Sequence, residues 1–569
     1  MPHLLPRLSA LAACGLSVLI STTAATAQNG LAGAYLAARQ ASMNGDYSAA
    51  AEYYGMALAR DPSNPRLLEN ALMAFVGLGE VPKAVPVARR LETGGNLGQV
   101  ANLVIIAEQM QRGAYDEMLD DFAAGRKSAP LVDGLVSAWA RFGQGRMSDA
   151  LAAFDDAADS TGLKAFALYH KAMALAAVGD FEGADEIFSG SAEGPLRATR
   201  RGVLAHAQVL SQLERNGDAL ELIDSVFGPD ADPGIDALRE RLAKGDTLPF
   251  DMIKTAADGA GEVFYTVAGA LNGDAMDGYT LIYTRLAEYL APANDEAKLL
   301  SASLLEAQER YQLAIESYGR VAPGSTAFYA AELGRVEVMR QSGDVEGAIT
   351  ALKKLTKTFA HIPGVHITLG DIYRGEENYQ DARKAYDAAI ALFKEPDDGQ
   401  WFAYYARGIA HERLGNWDKA EADFRKALDL NPGQPQVLNY LGYSFVEMKT
   451  NLDEALDMIE RAVDARPNDG YITDSLGWVL YRLGRYAEAV PHMERAAALM
   501  SVDPIVNDHL GDVYWAVGRR NEARFQWHRA LSFDPEEADA ERIRRKLEVG
   551  LDKVLQEEGA PPLKPANDG

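Results

Sequence analysis

The chain's 569 residues are about twice the length at which one hydrophobic core stops growing, so either several domains or a stacked array is required. Its 82 acidic against 56 basic residues leave a formal charge of −26, which argues against nucleic acid as a partner, because phosphate binding needs clustered Lys and Arg. Abundant Ala, few β-branched runs, and Leu and Tyr at helical spacing read as an all-α chain. An acidic surface keeps a long array soluble and favours neutral or basic protein segments as ligands.

The first element, 1–27, is predicted to be a signal peptide. Arg7 supplies its positive end, Leu8 to Ile20 its apolar stretch, and Ala25-Thr26-Ala27 a small-residue cleavage site before Gln28. Export to the periplasm of a Gram-negative bacterium is therefore expected. The only cysteine, Cys14, follows Leu11-Ala12-Ala13 in a pattern that resembles a lipobox. Lipidation there would make the chain an outer-membrane-anchored lipoprotein, although Arg7 stands too close for a normal apolar core. Without it no membrane contact is expected, because no other apolar run reaches the ~18–20 residues of a span.

From residue 28 a small-residue and aromatic signature recurs about every 34 residues, which means a stacked array, because one unit cannot bury its apolar face alone. The predicted N-terminal array covers 28–227. Its unit at 31–64 is sharp (Gly45-Asp46-Tyr47, Ala50, Tyr54, Ala57, Pro62), and those at 131–164 and 165–198 carry Ala150 with Phe154 and Ala184 with Phe188. Units at 65–98, 99–130 and 200–231 are degenerate. Residues 228–260, with Asp232-Pro233, Gly245-Asp246 and Leu248-Pro249, read as an irregular spacer between two sub-arrays. Units then resume through a central array at 261–396. Glu395 to Gly399 inserts before a C-terminal array at 397–537. A charged capping helix at 538–558 and a disordered tail at 559–569 complete the expectation.

The C-terminal units carry the pattern best. Leu441-Gly442, Leu476-Gly477 and Leu510-Gly511 sit midway along one helix, and Ala455, Ala489 and Ala523 open the next. In 401–434, Gly408 and Ala420 permit close approach, Phe424 fills the wedge, and Pro432 ends the second helix. These units resemble tetratricopeptide repeats. The resemblance implies about fourteen helix pairs wound into a right-handed superhelix, an α-solenoid whose first helices line a concave groove.

Helical periodicity then selects the inward side chains of the last four first helices: Tyr405, Glu412 and Arg413; Asn439 and Tyr443; Asp474, Trp478, Tyr481 and Arg482; Asp508, Asp512 and Trp515. Asn439, Asp474 and Asp508 share one register position and form a predicted polar ladder able to hold an extended backbone, with carboxylates that favour basic side chains. The aromatics have the composition of binding hot spots. Lysine is absent from these positions, so the carboxylate clamp of chaperone-binding repeat proteins is not expected.

Catalytic patterns are missing. His361 and His366 flank Pro363-Gly364, and His411-Glu412 lacks the second histidine of a zinc-protease helix. No nucleophile elbow or phosphate loop occurs, Gly259-Ala260-Gly261 being a turn or a close helix contact, and the 228–260 spacer holds neither His nor Cys. Neither cofactor nor metal is expected. The expected function is a non-enzymatic periplasmic scaffold that binds protein or peptide segments and assists assembly of an envelope complex. The alternative is a docking subunit of a polysaccharide or lipoprotein export machine at the outer membrane.

Overall fold

The computed structural model describes residues 31–160, 162–190, 199–228 and 232–563. The signal-peptide and Cys14 readings, and the tail beyond Leu563, lie outside the described residues. These residues form 31 α-helices and no strand. Fourteen antiparallel pairs fall in the predicted units, including the degenerate ones. The chain divides into two compact units, 1–351 and 352–569.

In the first unit, six pairs run from Leu31–Met43 with Tyr47–Leu58 to Arg200–Gln212 with Asn216–Phe227. Each stacks because its Ala and other apolar positions are buried, as Ala50, Tyr54 and Ala57 are in the first pair. The 228–260 stretch is not irregular throughout. Pro233–Ala243 is a helix whose N-cap Asp232 accepts from two backbone amides, and its Ile235 and Leu242 pack into a core with Leu210 and Ile223. An extended run follows, in which Leu248 N donates to Ser211 Oγ (2.9 Å) and Gln212 Nε2 to Leu248 O (2.5 Å). The stretch is therefore built into this unit.

A capping box of Thr255 and Asp258 then opens Ala256–Leu271, which pairs with Asp277–Leu290. This hairpin lies back along the first helices of the earlier pairs. Ala256–Leu271 packs on Gln99–Gln111, Pro130–Gly143 and Lys164–Ala177, and Asp277–Leu290 on Pro65–Gly77 and Gln99–Gln111. Gly259 is pressed on Trp139, where an added Cβ would stand 2.2 Å from the ring, so the glycine pair is a close helix contact. The polar groups of that face are answered from the hairpin. Glu262, fully buried, accepts from Tyr169 Oη (2.8 Å) and Arg201 Nε (2.5 Å). The groove expected along the whole array is filled by the chain itself in this unit.

In the second unit the core runs through the pairs Trp401–Arg413/Trp417–Leu430, Pro435–Met448/Leu452–Ala465, Gly470–Leu483/Tyr486–Leu499 and Pro504–Ala516/Arg520–Leu531. A Cβ on Gly408 would meet Phe424 at 2.6 Å, which is the close crossing the glycine permits. The extra residue in the 449–452 turn is absorbed by left-handed Lys449 (φ +58°) and Asn451 (φ +48°). The cap differs from the single helix expected. Glu537–Val549 and Leu551–Glu557 are separated at Gly550 (φ +84°), a conformation that L side chains rarely adopt. Beyond the cap the chain does not leave the body at once, for Ala560 and Leu563 lie half-buried against the core.

Candidate functional site

The first helices of the last four pairs bring the whole predicted ladder, and most of the other expected residues, into two adjoining hollows. The first has a volume of about 460 Å³ and is walled by Trp417, Tyr440, Tyr443 and Tyr471. Asn439, Asp474 and Ser475 form polar lining, and Glu412, Arg413, Glu447 and Asp503 stand around them. Met448, Tyr471 and Ile505 are exposed large side chains at its lining, with Tyr471 58% accessible. Open apolar area beside polar groups is the composition of a docking surface.

Within it, two buried acceptors lack a hydrogen-bond partner among the described residues: Asn439 Oδ1 and Asp474 Oδ1. Buried polar atoms are ordinarily paired, because leaving one unpaired costs about 1–3 kcal/mol. Asp474 spends its other oxygen on His509 Nδ1, at 2.9 Å. His509 lies with its ring centre 3.9 Å from that of Trp478 and only 12° from parallel. Burial opposes the charged imidazole most strongly of any one cause, yet Asp474, Asp508 and Asp512 together outweigh it and the His509 pKa is raised. Trp478 also stacks on Tyr481 at 4.7 Å, lies under the Arg482 guanidinium, and donates from Nε1 to Glu447 at 2.9 Å.

The second hollow, about 370 Å³, is lined by Trp478, Tyr481, Arg482, Asp508, His509 and Asp512, but the terminal cap closes one wall with Arg542, Ile543 and Leu555. Lys546, fully buried, donates to Asp508 Oδ1 (2.5 Å) and Asp512 Oδ1 (2.7 Å). Trp527 Nε1 donates to Asp512 as well, at 2.9 Å. Burial raises the Asp508 pKa even with Lys546 beside it.

The expected set therefore separates into four groups, with Arg482 belonging to the second hollow. Asn439, Tyr443, Asp474 and Arg413 line the first hollow. Trp478 and Tyr481 are 5% and 7% exposed, so they shape the second hollow rather than offer open area. Asp508 and Asp512 are already neutralised by the cap. Two residues are not groove residues. Tyr405 is half-buried among Trp401, Phe424 and Tyr440. Trp515 is covered by the cap, its Nε1 donating to Asp552 (2.9 Å) and its ring stacked under Arg520. Helical periodicity fixes which face a residue occupies, but not whether a later helix covers that face.

Sequence reasoning missed His509, Tyr440, Tyr471 and Ile505. His509 follows the ladder residue Asp508 directly, and a polar residue beside the register position was the available signal. Among the described residues, no group of three His, Cys, Asp or Glu side chains is arranged to hold a metal.

Residues 35–96, 333–398, 367–435 and 441–504 match the tetratricopeptide repeat family. A TPR repeat-containing protein of Pseudomonas aeruginosa is 31% identical over 197 residues, covering 34% of this chain and 32% of that protein. Human aspartyl/asparaginyl beta-hydroxylase is 25% identical over 169 residues, covering 28% and 22% respectively. The chain thus spans about a third or less of the length of these curated relatives. Among solved structures, the Cut9–Hcn1 hetero-tetramer of the APC/C is similar over 91% of this chain and 96% of that chain, at 16% identity and a TM-score of 0.37. A tetratricopeptide repeat protein from Parabacteroides merdae is similar over 45% and 98%, at 18% identity and a TM-score of 0.36.

Proposed function

Because the chain is a tetratricopeptide-repeat protein, and so a protein-interaction scaffold, we propose that it docks extended protein or peptide segments in the first hollow of its C-terminal unit. The observation that carries this reading is the pair of unpartnered buried acceptors, Asn439 Oδ1 and Asp474 Oδ1, in an aromatic-walled hollow. A backbone amide or a side-chain donor supplied by a ligand completes both. Neutral or basic segments suit a lining of four carboxylates against the single guanidinium of Arg413. The scaffold is non-enzymatic, exported to the periplasm by its 1–27 segment, and helps an envelope complex assemble.

Replacing Asn439 and Tyr471 with alanine tests the hollow, since neither residue belongs to the hydrophobic core. Peptides selected for binding to the full chain should bind the double variant at least tenfold more weakly, as expected of a hot spot. Its unfolding free energy should barely change, by about 0.5 kcal/mol or less. Unchanged affinity removes the assignment. Trp478→Ala is no substitute, because emptying that buried stack costs about 3–5 kcal/mol.

The lipobox-like Leu11-Ala12-Ala13-Cys14 motivates a second reading, a lipid-anchored docking subunit of a polysaccharide or lipoprotein export machine. Mass spectrometry of the mature N-terminus separates the two. A chain beginning at Gln28 supports the soluble scaffold, and an acylated Cys14 supports the anchored subunit.

A further inference from the structure

Given the docking hollow proposed above, on which this step depends, the chain's own cap indicates what the hollow takes. Asn439, Asp474 and Asp508 hold one register position in successive first helices. At the last position the chain supplies a cation. The Lys546 ammonium is clasped by Asp508 and Asp512, 5.3 Å from the centre of the Trp527 ring. Arg542 Nη1 lies 3.6 Å from Asp512 beside it. One position earlier, Asp474 is 6% exposed and lines the first hollow; it gives only Oδ2 to His509 Nδ1, and its Oδ1 has no partner among the described residues.

The other carboxylates of that hollow are engaged. Glu412 accepts from Tyr440 Oη (3.2 Å), Glu447 from Trp478 Nε1 (2.9 Å), and Asp503 from the amides of Ile505 and Val506 that begin its helix. Arg413 lies 3.4 Å from Glu412 and does not pair with Asp474. Asp474 Oδ1 and Asn439 Oδ1 thus form an acceptor pair without its donor, walled by Tyr440 and Tyr443, whose ring faces attract cations.

We propose that Asp474 is a specificity-determining residue, and that the hollow takes a lysine or arginine side chain of an extended protein segment as Asp508 and Asp512 take Lys546. A charge-assisted hydrogen bond to a buried carboxylate gives such a segment its advantage over a neutral one.

Fluorescein-labelled peptides of alternating threonine and leucine with one central lysine, arginine, norleucine or citrulline test this by anisotropy against the full chain. Lysine and arginine peptides should bind about tenfold or more tightly than their neutral counterparts. Asp474→Asn should abolish that advantage and Asn439→Asp should enlarge it. The second variant and the unaltered chain decide the matter if Asp474→Asn fails to fold. Equal binding of charged and neutral peptides overturns the cation assignment while leaving a peptide-binding hollow. A charge advantage that persists in Asp474→Asn also overturns it, because diffuse acidity then suffices. If no peptide of the series binds, and selected peptides are indifferent to the Asn439 and Tyr471 substitutions, the docking hollow itself fails.

Discussion

Two buried histidines carry opposite pH signatures. His170, in the first unit, accepts from Trp139 Nε1 through Nδ1 (3.3 Å), which leaves its Nε2–H to donate to Thr266 Oγ1 (3.2 Å). Burial pushes its pKa down to about 3, so it is neutral in the fold but protonates in the unfolded chain below about 6.5. Its contribution to stability is therefore present above about pH 6.5 and lost as pH falls toward the folded value. His509, in the second unit, is opposed by burial but has a raised pKa through Asp474, Asp508 and Asp512 together. Its contribution is complete below about pH 6.5 and fades as pH rises through the higher folded value. Hydrogen exchange resolved by unit should show acidification from neutrality loosening 130–143 and 164–177, and alkalinisation from slightly acid pH loosening 504–516. His170→Gln and His509→Gln should flatten the respective responses. Matching slopes in wild type and variants would refute the assignment. Neither pairing was legible in the chain's spacing, since His170 meets a helix almost a hundred residues away and His509 reaches across a repeat.

Turns decide the elements. The period of the array, the small residues at its crossings and the prolines closing its units were readable because local packing dictates them, as Gly408 against Phe424 illustrates. The cap was not. Residues 538–558 read as one amphipathic helix, but Gly550 breaks it in a left-handed conformation, and an added Cβ there would stand 2.5 Å from Trp515. Both demands exclude a side chain. Gly550→Ala should destabilise the C-terminal unit by about 3 kcal/mol, from the backbone conformation and the overpacking together. Denaturant unfolding measures this, and a loss below about 1 kcal/mol would mean that the cap is loosely seated. The same change should weaken the Lys546 clasp, making Asp508 and Asp512 accessible to basic peptides. The signal for the backfolded hairpin was present but easily read as one more repeat. Ala256–Leu271 is buried on nearly every face, including Gly259, Glu262, Phe264 and Thr266. A helix without a polar face belongs in an interior.

At the scale of the molecule, an array of near-copies has used the same kind of face in two ways. In the first unit the chain's own hairpin fills it and seals it with the Arg201–Glu262–Tyr169 cluster. In the second the face stays open over Asn439 and Asp474 and is closed only at its end by Lys546. A strictly local reading of repeats, in which each contacts its neighbours alone, cannot foresee contacts such as Tyr47 Oη donating to Gln308 (2.8 Å). Removing Glu262's charge should therefore unseat the hairpin. Glu262→Gln leaves Arg201 buried without its counter-ion, at a cost of about 3–5 kcal/mol to the first unit and none to the second. The most direct test of an open C-terminal face and a filled N-terminal one is hydrogen exchange of the full chain with and without its tightest binder from an unbiased peptide library. Slowed exchange confined to Trp401–Arg413, Pro435–Met448, Gly470–Leu483 and Pro504–Ala516 is expected. Slowing along Gln99–Gln111 and Pro130–Gly143, or release of Ala256–Leu271 on binding, would contradict it.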